Sequence, residues 1–151
     1  MDYHLYKPDD FPQLYSIEEQ CFQPPHRFSR RYLRSLVNRA NAATWIVKED
    51  GRLKGFAITV WTLRKKEIIA YIQTIEVAPD ARRRGVGRAL LSRIEDSARA
   101  AGAAQIWLHV QAANAAAIHL YEARGYLCQG RRENYYPEGR AALIYAKTLS
   151  L

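Results

Sequence analysis

Arg82, Arg83 and Arg84, followed by Gly85, Val86, Gly87 and Arg88, are the residues whose types and spacing point most directly to chemistry. Glycines leave backbone N–H groups open to close approach, and guanidinium groups match phosphate oxygens, so this turn can gather an anion such as a phosphate or pyrophosphate. A solvated surface run of arginines has the same composition, and spacing alone leaves both readings open. Two familiar phosphate patterns are absent. There is no G-x-x-x-x-G-K followed by Ser or Thr, and Leu90 stands three residues after Gly87, which breaks G-x-G-x-x-G.

Such a turn needs elements that aim it. Upstream, Ile72, Thr74, Ile75 and Val77 read as a strand, and Pro79 stops it because proline cannot donate to a sheet ladder. Downstream, Val86, Leu90, Leu91, Ile94 and Ala98 fall on one helical face. A strand, a glycine turn and a helix in that order bring free N–H groups and the positive end of the helix dipole to one point. A second polar cluster lies further along the chain. Gln105 to Gln111 alternates, with Ile106, Leu108 and Val110 on one side and Gln105, Trp107, His109 and Gln111 on the other, a face polar enough to line a site. Asn114 is placed to cap a helix over Ala115 to Arg124, closed by Gly125.

With 151 residues, 48% of them hydrophobic, the chain supports one domain with a sizeable core, taken as residues 1–151. A formal net charge of +8 favours anionic partners, whether a polyphosphate cofactor, an acidic peptide or nucleic acid. Cys21 and Cys128 are too few for a disulfide scaffold, and no Cys or His cluster suggests a metal. The opening MDYHLYKPDD has acids and no apolar run, so it is not a signal peptide, and the cytoplasm is the expected compartment. Ala100 to Tyr121 lacks charge if its histidines are neutral, but its periodicity changes midway, which excludes a membrane span and predicts a buried strand followed by a buried helix.

The remaining elements read in order. His4 to Lys7 is a short strand, Pro8-Asp9-Asp10 opens a helix with Leu14, Ile17 and Cys21 on one face, and Phe22 to Phe28 is a proline-rich loop. Ser29 caps a second helix whose apolar stripe is Tyr32, Leu33, Leu36 and Val37. Thr44 to Lys48 and Leu53 to Trp61 form a hairpin through Asp50-Gly51, and a polar loop over Arg64 to Glu67 leads to the strand before the glycine turn. Two strands, near Tyr126 to Arg131 and Ala141 to Leu149, close the chain around ENYYPEGR, whose Tyr135 and Tyr136 either form a recognition surface or stack on the domain's own edge. The pattern predicts a mixed α/β domain built on about six to seven strands with about four helices.

The series VAPDARRRGVGRALL, IWLHVQAANAAAIHLYEARGY and ENYYPEGR resembles the GNAT superfamily of acetyl-CoA-dependent N-acetyltransferases, and within it the RimI-type ribosomal-protein-alanine enzymes. The likeness is dense from Ile72 to Leu149. It implies a GNAT-type fold, acetyl-CoA as cofactor, and a primary amine as acceptor, with a protein N-terminus leading and a small-molecule amine as the alternative. Membrane and direct nucleic-acid partners are not expected from it. By resemblance the coenzyme A diphosphate falls on Arg83, Arg84, Gly85, Val86, Gly87 and Arg88, the pantetheine arm and thioester on the backbone of Ile75, Glu76 and Val77, and Asn114 contacts coenzyme A. Tyr121 takes the place of the family's acid for the departing thiolate, which a phenol of pKa about 10 can serve. Where RimI-type enzymes have a glutamate base, this chain has His109. An imidazole can take the amine's proton directly or through water, and Glu76 or water alone is the other expectation. Direct transfer makes neither cysteine essential. A non-catalytic acyl-CoA-binding module and a basic nucleic-acid-binding domain are the rival classes.

Overall fold

Asp50 and Gly51, with φ of 52° and 77°, make the left-handed two-residue turn that matches strand twist. They join β2 (Ala42–Glu49) to β3 (Arg52–Arg64). Lys65, with φ of 56°, begins a second tight turn into β4 (Glu67–Val77). The computed structural model describes residues 1–149. With β1 (Asp2–Leu5), β5 (Ala103–Gln111), β6 (Leu127–Arg132) and β7 (Ala142–Thr148), these strands form one seven-stranded sheet ordered β1-β2-β3-β4-β5-β7-β6. Only β4 and β5 run parallel, joined by α3 (Val86–Ala100). The other helices are α1 (Phe11–Cys21), α2 (Arg30–Val37) and α4 (Ala115–Ala123).

The two sheet faces bury separate cores. Val86, Leu90, Leu91, Ile94 and Ala98 of α3 pack on Ala70, Ile72, Ile106 and Leu108, so the stripe expected for that helix is its buried face. Each leucine or isoleucine buried there stabilises the fold by about 1.5–3 kcal/mol. On the opposite face, Phe11, Leu14 and Ile17 of α1 and Leu33 and Leu36 of α2 cover Ile46, Phe56 and Ile58. Gly55 allows the close approach of β3 to β4, since a Cβ there would stand 2.8 Å from the Glu76 carbonyl oxygen.

Two irregularities in β4 open the middle of the sheet. In β3–β4 the register runs Ile58↔Thr74 and then Thr59↔Ile72, which leaves Gln73 as a bulge. The β4–β5 pairing extends only from Ile68↔Ala103 to Tyr71↔Trp107. Past Tyr71, β4 stays with β3 to Val77 while β5 stays with β7 to Gln111, so the sheet forks.

Several expectations move. The first strand is Asp2–Leu5 rather than His4 to Lys7, because its register with β2 begins at Asp2↔Lys48. Arg64 to Glu67 is a hairpin turn, and β4 begins at Glu67 rather than Ile72. Tyr32 leaves the apolar stripe of α2 and is 42% exposed, its hydroxyl donating to Gln73 Oε1 at 3.3 Å. The helix after β5 is not buried: of α4, only Tyr121 is. Ser29 and Asn114 cap α2 and α4 as expected, accepting from the N–H of Tyr32 and Ala117.

Candidate active site

The fork between β4 and β5 is where a strand-like ligand finds unpaired backbone. Ala78 N–H donates to Lys54 O on the β3 side at 2.7 Å. Alternation along a strand then turns the Val77 and Ile75 N–H groups toward the open side. Val77 O faces the same way and accepts from Arg82 Nε at 3.0 Å. A carbonyl oxygen gaining negative charge beside the Val77 N–H would meet a fixed donor.

On the α1/α2 face of the fork, Tyr71 and His109 meet. The Tyr71 hydroxyl lies 2.8 Å from His109 Nδ1, and the Tyr135 hydroxyl lies 3.3 Å from the same nitrogen. The Tyr135 ring stacks on the imidazole with centroids 4.2 Å apart, and Trp107 closes on both from the side, 4.6 Å from Tyr71 and 5.1 Å from His109. Burial, and then the charge of Arg132, lowers the His109 pKa, which keeps the ring neutral and able to accept a proton. Burial, with Tyr135 and Tyr136 beside it, raises the Tyr71 pKa, so Tyr71 remains a phenol, which donates to Nδ1 in the tautomer that carries its proton on Nε2. His109 Nε2 is buried without a partner. Tyr71 escaped the sequence reading. The alternation Ile68, Ala70, Ile72 against Ile69, Tyr71, continued backward from Ile72, is the signal that places it on the polar face of the site.

Tyr121 approaches from α4, on the other face. It is 6% exposed, packs edge-on against Tyr126 at 5.5 Å, and has its pKa raised by burial and then by Tyr136. Tyr136 also contributes to the raised pKa of Tyr71, and its own pKa is pushed up to about 12 by burial and then by Tyr135. The Tyr136 ring meets Tyr135 edge-on, with centroids 5.0 Å apart. Glu122, next to Tyr121, points away and accepts from the Tyr145 hydroxyl at 2.7 Å.

At the start of α3, Gly85 has φ of 78° and no side chain caps the helix, so the N–H groups of Val86, Gly87 and Arg88 are free to bind an anion. The arginines divide. All four are exposed: Arg84 forms a two-pronged pair with Glu49, at 3.1 and 2.5 Å, and Arg82 turns back to Val77 O, whereas neither Arg83 nor Arg88 enters an ion pair among the described residues. Asn114 uses its Oδ1 on its own helix, 3.1 Å from the Ala117 N–H.

Glu76 lies on the α1 side of β4, only 3% exposed, and accepts from the Thr74 hydroxyl at 2.7 Å. Burial, together with the Glu18 carboxyl beside it, raises its pKa well above the usual carboxylate range, which disfavours the ionised form a general base needs. Glu18 accepts from the Phe28 N–H at 3.0 Å and so anchors the loop after α1. That loop reaches the β6–β7 turn through His26, whose Nε2 lies 2.8 Å from Glu138 Oε1. Among the described residues no group of His, Cys, Asp and Glu side chains is arranged to hold a metal ion, and no helix is long and apolar enough to cross a membrane.

A family model described as the acetyltransferase (GNAT) family matches residues 11–126. The chain is 37% identical over 146 residues to the ribosomal protein bS18 alanine N-acetyltransferase of Escherichia coli, covering 94% of this chain and 93% of that one. It is 38% identical over 109 residues to the streptothricin acetyltransferase of Streptomyces lavendulae, covering 69% of this chain and 57% of that one. The crystal structure of the Escherichia coli ribosomal-protein-alanine N-acetyltransferase superposes with a TM-score of 0.87 at 33% identity, over 99% of this chain and 94% of that one.

Proposed function

The chain belongs to the acetyltransferase (GNAT) family, and on that footing we propose that it moves acetyl from acetyl-CoA to the α-amine of a polypeptide N-terminus, a ribosomal protein leading. The observation that carries this reading is the Tyr71–His109 pair at the fork of the sheet, facing away from Tyr121. The diphosphate would rest on the N–H groups of Val86, Gly87 and Arg88 with Arg83 beside them. The pantetheine arm would lie along Ile75, Glu76 and Val77 as a further strand in the fork, passing Asn114 at the start of α4.

Transfer then needs no covalent enzyme intermediate. The neutral amine attacks the thioester carbonyl carbon, and charge gathers on its oxygen near the Val77 N–H. The amine's proton passes to the Tyr71 oxygen as the Tyr71 proton passes to His109 Nδ1. The C–S bond breaks, and Tyr121 gives its proton to the leaving sulfur. Burial keeps the proton on Tyr121, so an O–H is present to meet the leaving sulfur, and the same burial makes it a weaker acid than a free phenol. The polypeptide acceptor is favoured over a small amine because the ribosomal-protein relative matches nearly end to end, whereas the streptothricin enzyme matches over 69% of this chain. The site of action would be the cytoplasm, in keeping with two unpaired cysteines.

Incubation with acetyl-CoA and a library of N-terminal peptides, the same peptides with blocked N-termini, polyamines and aminoglycosides tests this by free-thiol release. Turnover of free N-termini and none of blocked ones is expected. Turnover confined to polyamines or aminoglycosides would contradict it.

A further inference from the structure

Resting on that reading, we propose that the bare half of the sheet beside the Tyr71–His109 pair holds a large apolar or aromatic side chain from the second to fourth residues of the acceptor polypeptide. Helices α1 and α2 cover this face only over β2, β3 and β4, since among the described residues the core beneath them includes none of β5, β6 or β7. Register shows what is left open. Leu127 of β6 stands opposite Ala146 of β7, Ala146 opposite Trp107 of β5, and Trp107 opposite Tyr71 of β4, and residues opposed in this way share a face. Ile144 is likewise opposed to His109, and Ile69, two residues before Tyr71, shares its face. Ile69, Trp107, Ile144 and Ala146 are half-buried, Leu127 is 68% exposed, and none of the five belongs to either core.

The four half-buried side chains line a groove of about 910 Å³ that runs toward Lys65 and Lys66 of the β3–β4 turn. Trp107 joins it to the site, its ring 4.6 Å from Tyr71 and 5.1 Å from His109. An acceptor whose amine reaches the Tyr71 oxygen has the α1/α2 core on one side and Tyr135, stacked on His109, on another. The apolar surface left beside it is Trp107 and the groove behind that ring. The reach fits as well. An extended chain advances about 3.3 Å per residue, so the span from the first acceptor residue to the third equals the span from Tyr71 to Ile69, about 7 Å. A groove whose apolar walls serve neither core gains most from a side chain that takes those walls out of water. A second copy of the chain seated on the same face would shut the approach to Tyr71, whereas the acceptor uses it.

The test uses one peptide with alanine as its second, third and fourth residues and three peptides in which one of those alanines is phenylalanine, all with the same first residue and the same sequence thereafter. Phenylalanine at one of these positions should raise kcat/KM by at least about tenfold over the alanine peptide, mainly through KM. That ratio should persist at about 0.5 M NaCl, because salt does not screen the burial of apolar surface. Ile69→Gln with Ala146→Gln should bring it below about threefold, and because both peptides meet the same enzyme, any loss of folded protein cancels from the ratio. Equal kcat/KM for all four peptides, or a ratio that the double substitution leaves intact, would overturn this proposal and leave N-terminal acetylation standing. Equal kcat/KM together with a dimer in sedimentation that the double substitution dissociates would assign the face to a second copy and overturn it too. Acetylation of none of the peptides would overturn the N-terminal reading itself, and this proposal with it.

Discussion

In the proposed mechanism His109 is the final proton acceptor, at a position where the resemblance to RimI-type enzymes implies a glutamate, and its surroundings suit the exchange. A carboxylate under Tyr135 would be desolvated at high cost, whereas a neutral imidazole stacks there and keeps its Nδ1 lone pair for Tyr71. His109→Gln and Tyr71→Phe should each lower kcat about a hundredfold while acetyl-CoA binding stays within threefold of the parent. The pH dependence has a definite sign. Protonating His109 removes the acceptor, and its pKa is lowered from the ordinary value of about 6.5, so kcat/KM expressed per neutral amine should hold down to about pH 6.5 and fall only below it. Arg132→Gln removes one of the two causes and should move that acid limb upward. A limb that stays in place would separate the rate from His109.

Among the elements, β4 decides whether a site exists at all. Gly55→Ala would press a methyl against the Glu76 carbonyl oxygen at 2.8 Å, and backbone cannot yield as a flexible side chain does. The expected result is a loss of about 1–3 kcal/mol in urea unfolding, with a disproportionate rise in the KM for acetyl-CoA, because β4 holds one side of the fork. The same strand shows what sequence could and could not reveal. Its ending at Pro79, the glycine turn and the α3 stripe were legible because proline geometry, positive φ and a period of 3.6 act locally. Its true start at Glu67 and the bulge at Gln73 were not, since charged Lys65, Lys66 and Glu67 read as loop and the register comes from pairing with β3. Without the bulge, Ile72 and Thr74 would share a face. With it, Tyr71, Thr74 and Glu76 do, and Tyr71 reaches His109. The exposure of α4 was also hidden, because an alanine-rich helix looks the same lying on a core as lying open beside a ligand site.

Across the whole molecule, the fork depends on α3, α4 and the last strands keeping station, and Glu95 ties them. Fully buried on α3, it accepts from Arg124 at 2.9 Å, from the Tyr126 hydroxyl at 2.7 Å and from Lys147 at 3.1 Å. Burial alone would raise its pKa, but these three donors outweigh it and the net shift is downward. A lowered carboxyl stabilises the fold above its unfolded pKa of about 4.3 and loses that contribution as pH falls through the lower folded value. Glu95→Ala should therefore cost about 3 kcal/mol at pH 7, since it strands Arg124 and Lys147, and should flatten the loss of urea stability below about pH 4.3. An unchanged acid limb would assign it to other carboxylates. The central claim, that an N-terminal amine meets acetyl-CoA at the fork and gives its proton to Tyr71, is tested most directly by a crystal structure with a bisubstrate joining coenzyme A to a peptide N-terminus. The account predicts the peptide nitrogen about 3 Å from the Tyr71 hydroxyl, the sulfur beside the Tyr121 hydroxyl and the diphosphate at the start of α3. A bisubstrate bound with its nitrogen away from Tyr71, or with the fork between β4 and β5 empty, would contradict it.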